Sequence, residues 1–152
     1  MKKKKLKKLP TLKNTLWKLM SRVVRQVYAN HDGYVTCVCC NRGHHWKELD
    51  AGHFIPRSRG AGVYFDWFNV HPQCKACNKP LWNGEMGKIW YYEWMLSTYG
   101  SEEIDRLKRL SHGTGKWDRG WLEDQIEHYK ACELEIGGLP SKRKNQGGTN
   151  QY

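Results

Sequence analysis

The sequence predicts an α+β domain in which a small, metal-stabilised segment of short strands lies between helices. Two Cys-x-x-Cys pairs, 33 residues apart, bracket that segment. Short β-rich runs broken by glycine and proline lie inside it, and apolar residues recur at helical spacing on both sides. With 152 residues and 39% hydrophobic content, the chain provides one domain whose small core would benefit from a structural metal.

A basic helix is predicted ahead of the cysteine pairs. Residues 1–10 are expected to form a disordered basic arm, because lysines interrupt every short apolar stretch. Thr11 is the expected N-cap of a helix over residues 11–30, in which the apolar side chains share one face. Lysines and arginines on the remaining surface make this helix basic.

Residues 34–99 form the predicted core of the domain. Short strands are expected over residues 34–38 and 48–55, and residues 64–70 bring the chain back to the second cysteine pair. A helix over about residues 85–99 completes this core.

A helical subdomain is predicted at the C-terminal end, over residues 101–136. It consists of helices over 101–111 and 118–136, the first of which begins with acidic residues that suit the helix dipole. Residues 137–152 begin with two glycines and are expected to be a disordered tail. One domain over residues 11–136 is therefore expected.

The net charge of +11 is concentrated at one end of the chain. Residues 1–33 carry +9 and residues 81–139 carry −4, while residues 34–80 and 140–152 carry +3 each. This asymmetry predicts a polyanionic partner that is bound from the N-terminal end. A tail that only aids solubility and an anionic membrane surface are the alternatives.

Neither secretion nor membrane insertion is predicted. The lysine-rich start lacks the apolar region of a signal peptide, and no apolar run reaches the roughly 18 residues of a membrane span. A cytoplasmic location is therefore expected, where reduced thiols serve as metal ligands more readily than as disulfides.

The two cysteine pairs are predicted to bind one structural zinc ion. The expected ligands are Cys37, Cys40, Cys74 and Cys77. Four thiolates leave no open coordination position, which argues against a catalytic role for this zinc. Cys39 is assigned to packing or solvent and Cys132 to a helix core, while His44 and His45 are possible substitute ligands.

A histidine, two asparagines and a carboxylate lie between or beside the cysteine pairs. They occur in the words Asp50-Ala-Gly-His53, Phe68-Asn-Val-His71 and Gln73-Cys-Lys-Ala-Cys-Asn78. Residues 34–95 resemble the ββα-metal, or HNH, nucleases, and residues 12–136 resemble more closely the phage NinG/Rap recombination proteins. The resemblance implies a small ββα-metal core with a zinc knuckle site made of four cysteines. It also implies a structure-specific endonuclease that acts on branched DNA, including Holliday junctions and D-loops, in phage homologous recombination.

The resemblance implies a role for each of three residues. His53 matches the general base that activates water, a role that neutral imidazole can fill near pH 7. Asn69 matches the central asparagine, whose amide orients the loop that carries the histidine. Asn78 stands where many HNH proteins have a histidine ligand of the catalytic metal, and its amide oxygen favours Mg²⁺ or Mn²⁺.

One position departs from the family pattern. Gly52 precedes His53, where many HNH proteins carry an acidic or histidine metal ligand. Asp50 shares a strand face with position 52 at a distance of about 7 Å and is the candidate metal ligand and catalytic carboxylate. A bulge at Gly52 would shorten that gap, and His71 and Asp66 are the competing ligands.

Basic residues of the arm, the first helix and the loop after His53 are predicted to bind DNA. They would contact phosphates and make binding dependent on salt without reading sequence. The predicted contacts are Lys2, Lys3, Lys4, Lys5, Lys7, Lys8, Lys13, Lys18, Arg22, Arg25, Arg57 and Arg59. Because resolving a four-way junction takes two symmetric cuts, a homodimer is expected, with the C-terminal helices as its contact surface.

Two other functions fit the same motifs. One is a general HNH nicking endonuclease with no preference for junctions, and the other is a zinc-stabilised DNA-binding protein without catalysis. Metal-dependent cleavage distinguishes a nuclease from the DNA-binding protein without catalysis. A preference for branched over linear DNA distinguishes the structure-specific endonuclease from the general nicking endonuclease.

Overall fold

Five helices and two separate β-hairpins make up the described part of the chain. The computed structural model describes residues 6–138, without the side chains of residues 80–83 and 138. The helices are α1 (Leu9–Val27), α2 (Lys75–Asn78), α3 (Pro80–Tyr99), α4 (Ser101–Ser111) and α5 (Arg119–Gly138). The strands are β1 (Tyr34–Thr36), β2 (Gly43–His45), β3 (Asp50–His53) and β4 (Val70–Gln73). The predicted α+β class is confirmed.

The first helix begins earlier than the sequence indicated. Lys8 is its N-cap and Pro10 lies in its first turn, so the prediction of Thr11 as N-cap was wrong. Proline is favoured in this turn because the first N–H groups of a helix need no intrahelical partner. The apolar stripe from Leu12 to Val24 packs against α5, whose Leu122 and Ile126 are buried in the same cluster.

The hairpin of β3 and β4 supports the candidate site. The two strands are antiparallel, with Gly52 opposite His71 and His53 opposite Val70. The connection between them contains two short 3-10 turns, Ala61–Val63 and Trp67–Asn69. Helices α2 and α3 follow directly after β4. His53 therefore lies at the end of β3, where the hairpin opens into its loop.

Helix α3 also begins earlier than predicted, at Pro80 and not near residue 85. Its close contact with the second cysteine pair depends on Gly87, where an added Cβ would lie 2.8 Å from the carbonyl oxygen of Cys77. Helix α4 has the predicted bounds, and α5 continues to Gly138, two residues beyond its predicted end. The predicted tail from residue 139 onward, like residues 1–5 of the arm, lies outside the described residues.

Among the helices of residues 6–138, none is long and apolar enough to cross a membrane.

Candidate active site

The four predicted zinc ligands come together in one cluster. The Sγ atoms of Cys37, Cys40, Cys74 and Cys77 all lie within 4.8 Å of one another. The Sγ atoms of Cys40 and Cys74 are 3.8 Å apart, which is about the sulfur separation that Zn–S bonds of roughly 2.3 Å produce in a tetrahedron. The cluster is therefore able to hold a zinc ion, and it joins the start of α2 to the turn after β1.

The other predicted thiol and histidine candidates lie outside this cluster. Cys39 accepts a hydrogen bond from the Gln73 amide at 3.1 Å, which agrees with its assignment to packing. Cys132 is half-buried beside the α1–α5 core. The side chain of His45 accepts from the backbone of Lys47 as the cap of a short turn, so it is used locally.

His53 is held in place by one hydrogen bond and by aromatic rings. Its Nε2 lies 3.0 Å from the carbonyl oxygen of Tyr64. Since a carbonyl can only accept, Nε2 carries the proton and the lone pair of the neutral ring is on Nδ1. The ring stacks on Trp17 of α1 with 4.8 Å between centroids and contacts the Tyr64 ring at 5.1 Å.

The surroundings of His53 keep its imidazole neutral. Burial lowers its pKa to about 4, the hydrogen bond to Tyr64 acts in the opposite direction, and the charge of Arg57 lowers the pKa further. The Arg57 guanidinium lies over the Trp17 ring at 4.5 Å and over the Tyr64 ring at 5.2 Å. The site therefore combines an unprotonated histidine, able to accept a proton although a weak base at this pKa, with a cation beside it.

Asn69 is fully buried and links both sides of the loop after β3. Its amide oxygen accepts from the Ile55 N–H at 2.8 Å. Its amide nitrogen donates to the carbonyl oxygens of Ile55 at 3.2 Å and Val63 at 3.0 Å. These bonds fix the backbone between His53 and Tyr64, the residue whose carbonyl orients the histidine.

Replacing Asn69 with alanine should destabilise the protein by about 3 kcal/mol, because three buried backbone groups lose their partner. The free energy of unfolding in urea measures this loss. Asn14→Ala, a change at an exposed position of α1, is the control and should alter stability by less than about 0.5 kcal/mol. An Asn69→Ala protein as stable as the unaltered chain would contradict this account of the loop.

Asp50 and Asn78 are brought together from positions 28 residues apart. The Asn78 amide donates to the Asp50 carboxylate at 3.0 Å. The structure does not bring this pair to the His53 ring, because side chains three positions apart on a strand point to opposite faces. The strand between them also spans about 10 Å. The predicted metal ligands at the start of β3 and the predicted base at its end thus lie on opposite faces of the strand.

The glycine before His53 has a steric explanation. A Cβ at position 52 would lie 1.9 Å from Oε1 of Gln73, the side chain that fills this space. Gln73 is buried, and its amide nitrogen donates to Cys39 and to the carbonyl oxygen of Cys77. Its Oε1 has no hydrogen-bond partner among the described residues. Gln73 thus fills the space that a side chain at position 52 would need, which the sequence alone did not indicate.

Both competing metal ligands are engaged within the protein, and their assignment stays a prediction. Asp66 forms an ion pair with Arg106 at 2.9 Å and accepts from the backbone of Phe68. His71 is fully buried, with Nδ1 2.9 Å from the Tyr91 hydroxyl and Nε2 3.2 Å from the Tyr99 hydroxyl. Burial lowers the pKa of His71 to about 3, so it is a neutral core residue.

The hydroxyls around His71 form a directed chain that ends beside His53. The Tyr91 hydroxyl donates to the carbonyl oxygen of Gly52 at 3.0 Å, so it must accept from Nδ1 of His71. Nε2 of His71 then accepts from Tyr99, whose hydroxyl lies 3.3 Å from that of Tyr28. This buried chain ties α3 and the end of α1 to the peptide that precedes His53.

The predicted DNA contacts divide into free and engaged side chains. Lys7, Lys8, Lys18, Arg57 and Arg59 are exposed, and Lys13 is half-buried. Lys2, Lys3, Lys4 and Lys5 lie outside the described residues.

Two of the predicted DNA contacts are used within the protein. Arg22 pairs with Glu133 of α5 through two hydrogen bonds. Arg25 donates to the carbonyl oxygens of Ser21 at 2.9 Å and Leu49 at 3.1 Å. Their guanidinium groups therefore connect α1 to α5 and to the start of β3, and their assignment to DNA stays a prediction.

Comparison with known proteins agrees with the motifs. The family model described as "Bacteriophage Lambda NinG protein" matches residues 1–136. The curated protein "Protein ninG" of Escherichia phage lambda is 26% identical over 134 residues, which cover 86% of this chain and 59% of that relative. The chain thus spans about three-fifths of the relative's length. No solved structure matches the chain.

Proposed function

This chain belongs to the NinG family of bacteriophage proteins, and from that premise we propose that it is a structure-specific endonuclease. Its proposed substrates are branched DNAs, such as Holliday junctions and D-loops, in phage homologous recombination. The observation that carries the proposal is the neutral His53, oriented by the Tyr64 carbonyl and placed beside Arg57. The HNH-like core is part of the same proposal, supported by the β3–β4 hairpin with α2 and α3 after it.

His53 acts as the general base. Nδ1 accepts a proton from a water molecule as that water attacks phosphorus, the new P–O bond forms and the bond to the 3′ oxygen breaks. The leaving oxygen takes its proton from solvent. A phosphate bound against Arg57 offsets the charge that lowers the pKa of His53, so substrate binding makes the imidazole a stronger base.

A divalent ion is the proposed cofactor, and its ligands are Asp50 and Asn78. In the structure the Asn78 amide N–H donates to the Asp50 carboxylate at 3.0 Å, so the amide would have to turn its oxygen toward the carboxylate to bind an ion. Mg²⁺ or Mn²⁺ needs only one or two protein oxygens and completes its shell with water and phosphate. If bound, the ion would supply positive charge to a DNA phosphate near the start of β3. To act with His53 on one phosphate it would require a rearrangement on DNA binding, because Asp50 and the His53 ring lie on opposite faces of β3. Zinc in the cysteine cluster has the separate role of holding α2 against the turn between β1 and β2.

The basic arm is proposed to bind DNA without sequence specificity. Deleting residues 2–8 should weaken DNA binding for every sequence and lower the salt dependence, because up to six lysines lose their phosphate contacts. Fluorescence anisotropy between about 50 and 200 mM salt measures both quantities. Changing Lys108 and Lys130 to glutamine removes positive charge from α4 and α5 and is the control. An unchanged dissociation constant and salt slope after the deletion would refute the role of the arm.

A homodimer completes the proposal, because a four-way junction requires two symmetric cuts. Helix α3 has an exposed apolar stripe through which a second copy would pack. Its members are Met86, Ile89, Tyr92 and Leu96. Leu96→Arg should convert the dimer to a monomer in sedimentation measurements, and a monomeric unaltered protein would contradict this part of the proposal.

Incubation with a four-way junction and with a linear duplex of the same sequence tests the function. With Mg²⁺ or Mn²⁺ present, the junction should be cut and the duplex should be cut much more slowly. Equal cutting of both would replace the proposal with a general nicking endonuclease. Binding of both without any cutting would leave a DNA-binding protein without catalysis.

A further inference from the structure

A small pocket lies on the side of Trp17 and Tyr64, the two rings that contact His53. It has a volume of about 400 Å³ and lies between α1, the loop after β3 and the segment that leads into α5. This volume is in the range of pockets that hold small ligands. Two of the aromatic side chains that line it, Trp17 and Tyr64, also contact the His53 ring. A ligand in the pocket would therefore contact the same two rings that hold His53 in place.

Aromatic rings form the walls of this pocket and two cations stand among them. The Trp117 and Tyr64 rings are tilted by 53° with 6.1 Å between their centroids, and the Trp17 and Tyr64 rings are tilted by 53° at 5.5 Å. The Lys13 ammonium lies 5.2 Å from the centre of the Trp117 ring, and the Arg57 guanidinium lies over Trp17 and Tyr64. Rings suited to a flat aromatic ligand are thus combined with groups suited to a phosphate.

We propose that the pocket binds one unpaired nucleotide of the DNA substrate, next to the phosphate that is cleaved. This inference rests on the proposed nuclease function and names the feature of branched DNA that the site selects. The base would stack on the rings of Trp117 and Tyr64, and its flanking phosphates would meet Lys13 and Arg57.

The pocket would favour branched over linear DNA through access to the base. In a duplex each base is stacked and paired, so placing it in the pocket costs a few kcal/mol. A nucleotide at a branch point or in a single strand has lost that pairing and enters without the full cost. Arg57 and Lys13 alone would bind the phosphates of either form, and the rings supply the discrimination.

Binding measurements without added Mg²⁺ or Mn²⁺ test the pocket apart from cleavage. Three labelled probes of equal length are compared by fluorescence anisotropy: a thymidine oligonucleotide, the same strand with its bases replaced by abasic sites, and a blunt duplex. The unaltered protein should bind the thymidine strand about tenfold more tightly than the abasic strand. Equal affinity for these two strands would overturn the proposal, because it would show that only phosphates are recognised.

Substitutions then test whether the preference for the thymidine strand arises in this pocket. Trp117→Ala should remove most of the preference for the thymidine strand, and Trp117→Phe, which keeps an aromatic ring and the packing, should retain it. Lys18→Gln, at an exposed position of α1 that does not line the pocket, is the matched control and should weaken binding of all three probes alike. A Trp117→Ala protein that melts normally and keeps the full preference would also overturn the proposal.

The two proposals fail in distinguishable ways. If the protein never cuts DNA with Mg²⁺ or Mn²⁺ but prefers bases over abasic sites through Trp117, the nuclease proposal fails and the pocket remains. If it cuts junctions but shows no such preference, the nuclease proposal remains and the pocket fails.

Discussion

Replacing His53 with alanine should reduce DNA cleavage by about 10²–10⁴-fold, because the attacking water loses its proton acceptor. DNA binding should stay within about twofold, since Arg57 and the exposed lysines, which make the phosphate contacts, are unchanged. Single-turnover cleavage of a four-way junction with Mg²⁺ measures the rate, and anisotropy without the metal measures binding. Removing the ring also exposes Trp17, so a melting curve must show that the variant is folded.

The matched control is His31→Ala, at an exposed position where the ring pairs with its neighbour Asp32. This variant should cleave at the rate of the unaltered protein. Cleavage at the normal rate by a folded His53→Ala protein would remove His53 from the proposed mechanism. A loss of both cleavage and DNA binding would show that His53 serves the structure of the loop and not the reaction.

The pH dependence of cleavage provides a second readout of the same residue. Since the pKa of His53 is lowered to about 4, its neutral form persists as the pH falls from about 8 to about 5.5. The value of kcat/KM, which reports groups of the free protein, should therefore change little over this range. With an ordinary histidine pKa near 6.5, kcat/KM would fall about tenfold by about pH 5.5, because most of the imidazole would then be protonated. A tenfold loss with zinc content unchanged would contradict the buried, neutral histidine.

Short-range patterns made much of the site predictable. Cysteine spacing identified the four ligands of the cluster, because two Cys-x-x-Cys pairs provide one tetrahedral set in a chain of this size. The order of His53 and Asn69 indicated a histidine on a loop braced by an amide. The hydrogen bonds of Asn69 to Ile55 and Val63 have the geometry that this role requires.

The roles of side chains that depend on packing between distant segments could not be predicted from the sequence. Trp17 is 36 positions from His53, and nothing in its helical spacing distinguishes a residue that stacks on the histidine from one that only packs. Arg22 and Arg25 are basic residues of a basic helix, yet their partners are on α5 and at the start of β3. Charge alone cannot separate an arginine that binds phosphate from one that pairs within the fold.

Gly52 is a further residue whose surroundings could not be predicted from the sequence. The family pattern predicts a ligand there, so Asp50 was the natural substitute for a missing side chain. The structure shows that the space is filled by Gln73 from the opposite strand. Only strand pairing can show that a residue on one strand replaces a side chain on another, because the two positions are 21 residues apart.

Changing Cys74 to serine should have the largest effect on stability of any single substitution in the described core. Four thiolates binding zinc contribute roughly 10–16 kcal/mol in small zinc domains, which equals or exceeds the whole stability of an average domain. Cys74 is buried and joins α2 to the turn after β1, where the neighbouring cluster of apolar residues is small. The Cys74→Ser protein should retain less than one zinc per chain and lose the cooperative unfolding of this region.

Zinc content by atomic absorption and thermal unfolding by circular dichroism measure these two effects. The unaltered protein should contain one zinc per chain, and a chelator should lower its melting temperature as the substitution does. Cys132→Ser is the matched control, because Cys132 is a half-buried thiol outside the cluster and should leave zinc content unchanged. Hydrogen exchange should show the loss first at the cysteine pairs and later in α1 and α5, whose contacts form a separate apolar cluster. A Cys74→Ser protein with a full zinc ion and a normal melting curve would show that these thiols are not the ligands.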